Sequence, residues 1–159
     1  MAFAEDLLDQ AFLLLSKETK NPKQASLRRA VSTAYYALFH LLIQEASANW
    51  NCQSVRDYLA RAFEHKTMQK ASAAAENASY PSSVPPQVAI KLKSVARAFR
   101  ELQEQRHLAD YSNATKWDRV KAAAKVNQCK SAFSDWKSIR KENAAQRYLV
   151  SLLSNYKEP

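Results

Sequence analysis

No glycine occurs anywhere in the 159 residues, and this absence narrows the possible folds more than any other feature. The phosphate-cradling loops of P-loop and dinucleotide-binding proteins need backbone that approaches a ligand closely, and tight two-residue hairpins need positive φ. What remains is a set of helices joined by polar turns, an all-α fold. A chain of this length fits one domain over residues 1–159, and at that size it buries roughly two-thirds of the surface its unfolded form exposes.

Apolar periodicity predicts about five helices in an up-and-down bundle. From Phe3 to Lys20, apolar residues recur at helical spacing until Asn21-Pro22 ends the run. A second helix, about Gln24 to Asn49, is apolar on nearly every face through AYYALFHLLI and reads as the centre of the bundle. A third begins after Cys52 with Val55, Leu59, Ala62 and Phe63, then fades through KASAAAEN into the main loop at about 77–86. A fourth starts near Pro86 and places Val88, Leu92, Val95, Phe99, Leu102, Arg106 and Ala109 on one stripe. The fifth, from about Thr115, carries Ala122, Val126, Cys129, Phe133 and Trp136, and a short separate helix is possible over about 145–156.

Lys and Arg total 24 against 15 Asp and Glu, a net charge of +9. After Tyr111 there are ten basic residues and four acids, so the predicted fifth helix, with Lys121 and Lys125, is a candidate surface for an anionic partner. The N-terminus carries acids where a secretory signal carries Lys or Arg, and no apolar run approaches the length of a membrane span. A cytoplasmic location follows, with Cys52 and Cys129 expected as small buried thiols rather than a disulfide. His40 reads as a near-core histidine, and the three scattered histidines offer no helical metal-ligand pair, so neither metal nor cofactor is expected.

Arg106 is the residue the apolar stripe does not predict. A guanidinium there needs water or a carboxylate, and Asp110 is one turn away on the same face. Arg100, His107 and Tyr111 form an adjoining ridge. A cation beside an imidazole that titrates near neutrality is a minimal kit for RNA cleavage. Arg61, His65 and Lys66, around FEHKTM, are candidates to line a polar cleft with them. The aromatics Tyr35, Tyr36, Phe39, Phe99 and Phe133 fit core packing, whereas Trp50, Tyr80 and Tyr148, near helix ends, are candidates for stacking on a partner or base.

Three segments, LRRAVSTAYYALFHLLIQEA, FEHKTM and FRELQEQRHLADY, occur in an order that resembles the small prokaryotic HEPN domains encoded beside a minimal nucleotidyltransferase. The resemblance covers about Leu27 to Tyr111. It implies a symmetric homodimer with polar residues of the fourth helix facing a shared cleft, and a toxin-antitoxin or defence pairing in which the HEPN partner is a metal-independent ribonuclease and the nucleotidyltransferase its antitoxin. The family's catalytic arginine and histidine lie a few residues apart. Arg100 with His107 satisfies that spacing, while aligning RHLADY uses Arg106 and puts Tyr111 at the histidine position; the second register, with Asp110, is the closer match. The competing expectation is a non-catalytic homodimeric module whose basic fifth helix docks on an acidic protein.

Overall fold

The computed structural model describes residues 2–154. Among them are seven α-helices and no strand: α1 (Ala2–Leu15), α2 (Gln24–Ala48), α3 (Gln53–Arg61), α4 (His65–Asn77), α5 (Pro86–Tyr111), α6 (Arg119–Ile139) and α7 (Asn143–Leu153). The chain divides into two compact units. The first takes the chain up to Leu41 together with Glu101–Phe133; the second takes Leu42–Arg100 and the chain from Ser134 onward. Residues of α2, α5 and α6 contribute to both.

Seven helices rather than about five reflect two breaks. The expected third helix is α3 and α4, separated where Phe63 is buried and Glu64 turns extended, at φ −117° and ψ 135°. No residue of α3 is buried, so Val55 and Leu59 do not form the expected core stripe. The alanine-rich run that reads as a fade is instead regular helix to Asn77, as the high helix propensity of alanine favours. The second break lies between Ile139 and Asn143, after which α7 buries Ala145, Tyr148, Leu149 and Leu152. Positions 155–156 of the short helix expected there lie outside the described residues.

The first helix also ends earlier than expected, at Leu15. The Ser16 hydroxyl donates back to the carbonyls of Phe12 and Leu13, at 3.4 and 3.3 Å, and the chain then turns through Asn21, whose φ of 51° is the left-handed conformation. Helices commonly end on a left-handed glycine. Without glycine, several helix ends in this chain are met by side-chain donors instead. Arg119 Nε donates to Leu15 O at 3.0 Å and its Nη2 to Glu18 O, holding the end of α1. Arg28 donates to Ala109 O (2.9 Å), Ser112 O (2.8 Å) and Thr115 O (2.6 Å), at and just beyond the end of α5. In the second unit Gln146 donates to Arg140 O after α6, and Arg56 to Trp50 O after α2. Cations at these ends also oppose the negative pole of the helix dipole.

Within the first unit, Leu27, Val31, Tyr35, Leu102, Val126 and Cys129 are fully buried, each contributing on the order of 1.5–3 kcal/mol for a large side chain. Between Ala30 and Ile43 every residue of α2 except Tyr36 and His40 is buried, as its apolar run requires. In the second unit Leu92, Phe99, Trp136 and Leu152 are fully buried. There the buried carboxylate of Glu45 is paired with Arg140 through two contacts, Nε to Oε2 at 3.1 Å and Nη2 to Oε1, the bidentate geometry in which a buried carboxylate is best satisfied.

Candidate functional site

The long α5 helix presents Arg106 on the stripe read from the sequence, between Leu102 and Ala109, both buried. Its side chain is only 15% exposed. The guanidinium carbon sits 5.3 Å from the centre of the Tyr35 ring and 5.8 Å from that of Tyr36, a double cation–π arrangement worth on the order of 1 kcal/mol for each well-placed ring. Asp110, the expected partner, is present, but Nη1 to Oδ2 is 3.8 Å, an ion pair too long for a hydrogen bond. The same Oδ2 accepts from Ser32 Oγ at 3.3 Å. Nε of Arg106 is buried and has no hydrogen-bond partner among the described residues.

His107 and Tyr111 occupy the next ridge, both exposed, their rings 5.1 Å apart and tilted. Four of the expected α5 residues, Arg106, His107, Asp110 and Tyr111, therefore share the first unit. Arg100 belongs to the second. There its Nε meets Glu76 Oε2 at 2.7 Å and its Nη2 meets Oε1 at 3.3 Å, while Arg97 Nε reaches the same carboxylate at 2.9 Å. Those donors hold the Glu76 carboxyl below its ordinary range, Arg100 most strongly.

The remaining expected residues divide in the same way. Lys121 and Lys125 lie on α6 in the first unit. Lys121 Nζ donates to Lys116 O at 3.2 Å and lies 5.2 Å from the centre of the Trp117 ring, and its backbone N–H is capped by Asp118 Oδ1 at 2.7 Å. Arg61 ends α3, and His65 and Lys66 open α4, all in the second unit. Arg61 and Lys66 are exposed and His65 is half-buried.

Two expectations for other residues are corrected. Cys52 is exposed rather than a core thiol, because it precedes an α3 helix that buries nothing; Cys129 is buried and donates to Ala34 O at 3.1 Å. Tyr148 is not available for stacking: its hydroxyl is sealed in a 2.8 Å hydrogen bond with Ser72, and burial pushes its phenol well above the ordinary range. Trp50 is exposed, and Tyr80 is half-buried with its hydroxyl on Ala75 O at 3.0 Å. His40 is half-buried against Phe3 and Phe39, and burial lowers its pKa.

Sequence reasoning had placed Tyr35 and Tyr36 in the core without seeing that they form the seat of Arg106. The signal available was the pair of adjacent tyrosines opening the apolar run AYYALFHLLI. Burial pushes the Tyr35 phenol upward, with the Arg106 charge opposing it. Among the described residues no group of three or more histidine, cysteine, aspartate or glutamate side chains is placed to hold a metal, and no helix is long and apolar enough to cross a membrane. No family model, curated protein or solved structure matches this chain.

Proposed function

We propose that this chain is a HEPN-type domain that acts in the cytoplasm as a homodimer, binds RNA or a nucleotide through Arg106, and serves as the HEPN member of a pair with a minimal nucleotidyltransferase. The observation that carries this reading is the state of Arg106. A guanidinium has five N–H donors, and this one is largely buried, held by ring faces and by an aspartate beyond hydrogen-bond range. Leaving charged donors unsatisfied in a protein interior is destabilising unless an acceptor arrives. A phosphate is the acceptor that guanidinium geometry matches best. The net charge of +9 favours the same class of ligand.

On RNA, the proposed reaction is cleavage without a metal. The 2′-hydroxyl attacks the adjacent phosphorus in line, its proton passing to His107. The bond from phosphorus to the 5′-oxygen breaks, that oxygen takes a proton from solvent, and the products are a 2′,3′-cyclic phosphate and a free 5′-hydroxyl. Arg106 stabilises the charge that develops on the phosphorane oxygens, and Asp110, bonded to Ser32, orients the arginine. Tyr111 flanks the imidazole.

The test is incubation of labelled tRNA and structured RNA with purified protein in EDTA, for wild type, Arg106→Ala and His107→Ala. Cyclic-phosphate products from wild type that disappear in both variants are expected. Binding without turnover, abolished by Arg106→Ala alone, would reduce the assignment to a binding domain. A folded wild type that neither binds nor cleaves would remove it.

A further inference from the structure

The first unit carries a groove of about 410 Å³ between α1 and α2. Its α1 wall is Phe3, Leu7, Gln10 and Leu14, and its α2 wall is Arg29, Thr33, Tyr36 and His40. Both stripes step by four, three and four residues, the spacing of one helical face, so the groove runs about 16 Å along each helix. Phe3 and His40 meet edge on at one end, their ring centres 4.9 Å apart. Two features distinguish this groove from a mere gap between helices. Thr33 lines it and is only 6% exposed, yet its hydroxyl makes no hydrogen bond among the described residues. The Tyr36 wall also belongs to the arginine site, since the Arg106 guanidinium carbon lies 5.8 Å from the centre of that ring.

We infer that this groove seats an unpaired base of the RNA whose phosphate Arg106 takes, an inference that rests on the phosphate reading of Arg106. A nucleotide carries a planar base one ribose away from its phosphate, so a strand held at Arg106 brings a base within reach of the surface beside Tyr36. That surface has the make-up of a base subsite. Phe3, Leu7 and Tyr36 offer aromatic and aliphatic area to the faces of a ring, while Gln10, Thr33 and His40 offer neutral polar groups to its edge. Burial lowers the His40 pKa, which keeps its imidazole uncharged at neutral pH and able both to donate and to accept. The Thr33 hydroxyl, which does the same, gains from a base edge the partner it lacks within the protein. A paired base keeps its faces and edge inside the duplex, so the occupant comes from a loop or a single strand. No aspartate or glutamate lines the groove among the described residues, so the lining itself opposes no phosphate of the strand.

The experiment titrates the full chain with two fluorescein-labelled strands of equal length and charge, a short single-stranded RNA and its abasic ribose-phosphate counterpart, followed by anisotropy. The RNA should bind about ten-fold more tightly than the abasic strand, the gain expected of one seated base. Phe3→Ala combined with Thr33→Val should bring the two strands within about two-fold of each other and leave the abasic affinity unchanged, whereas Arg106→Leu should weaken both. A second measurement needs no variant: RNA bearing a photoreactive thiouridine, irradiated on the wild-type protein, should crosslink to the α1 and α2 peptides that carry the two stripes. Equal binding of both strands by wild type, each weakened by Arg106→Leu, would overturn the base subsite and leave the phosphate site standing. Abasic binding indifferent to Arg106→Leu, or no binding of either strand, would remove the phosphate site and the inference with it. A preference that survives in the folded double variant, or crosslinks confined to other helices, would overturn the subsite alone. So would loss of self-association in the double variant by sedimentation velocity, which would assign the groove to a second copy.

Discussion

Arg100 and Arg106 lie on the same helix, six residues apart, and meet opposite circumstances. In the second unit Arg100 shares the Glu76 carboxylate with Arg97, at 2.7 and 2.9 Å, and Glu76 is only 12% exposed. In the first unit Arg106 is more deeply buried than Arg100, 15% exposed against 27%, yet its buried Nε has no hydrogen-bond partner among the described residues and its Nη1 stands 3.8 Å from Asp110. One arginine is satisfied by its own protein. The other is seated beside two tyrosine rings, 5.3 and 5.8 Å from its guanidinium carbon. On the proposed reading, Arg106 rather than Arg100 is the arginine that takes an acceptor from outside the protein.

The largest effect should come from separating these two roles. Arg106→Leu replaces a guanidinium with an unsatisfied buried Nε by an apolar side chain on an apolar stripe, and should reduce RNA affinity at least ten-fold while leaving the melting temperature unchanged or higher. Arg100→Gln should leave RNA affinity within about two-fold, since its cation is spent on Glu76 and the net charge falls by only one. An anisotropy titration of each, beside a thermal melt, checks both halves.

On stability the order should reverse. Glu76→Gln strips two arginines of their shared anion and should destabilise by about 1.5–3 kcal/mol in urea unfolding. Because the native Glu76 carboxyl is held below 4.5 by Arg100 first and Arg97 after it, its contribution is present above the unfolded value and fades as pH falls through the native one. The variant should lack that part of the acid loss.

His40 should give a smaller effect at milder pH. Burial lowers its pKa below 6.5, so the unfolded chain takes up its proton first, and stability should fall as pH drops below 6.5 until the native imidazole also protonates. His40→Gln should flatten that slope in melts run on either side of 6.5. The smallest perturbation is a labelling comparison. Cys52 is exposed and its thiol pKa is lowered, first by the Ser54 hydroxyl, whereas burial pushes Cys129 upward; iodoacetamide on the native protein should modify Cys52 and spare Cys129 until denaturant is added.

Much of the α5 architecture was legible because a stripe at alternating steps of four and three is a direct consequence of helical geometry. The same stripe exposed Arg106 as the exception and pointed to Asp110, one turn on. What it could not reveal was the length of that ion pair, or that Glu76, 24 residues from Arg100 in sequence, takes the other arginine. Helix ends were the least legible feature. Their capping by Arg28 and Arg119 depends on which terminus meets which side chain 81 to 104 residues away, and no local motif encodes that. The break between α3 and α4 was missed for a related reason: Phe63 ends one apolar run, and its burial is settled by tertiary packing rather than by the period of the residues around it.

The most direct test follows the arginine Nε–H resonances of ¹⁵N-labelled protein by NMR during titration with a short single-stranded RNA, with Arg106→Leu and Arg100→Gln used to assign the two signals. Arg106 should shift progressively to saturation, as its buried N–H gains a phosphate acceptor, while Arg100, fixed on Glu76, stays in place. Saturation of RNA binding with the Arg106 signal unmoved, or no binding by the folded protein, would contradict the assignment of Arg106 as the phosphate site.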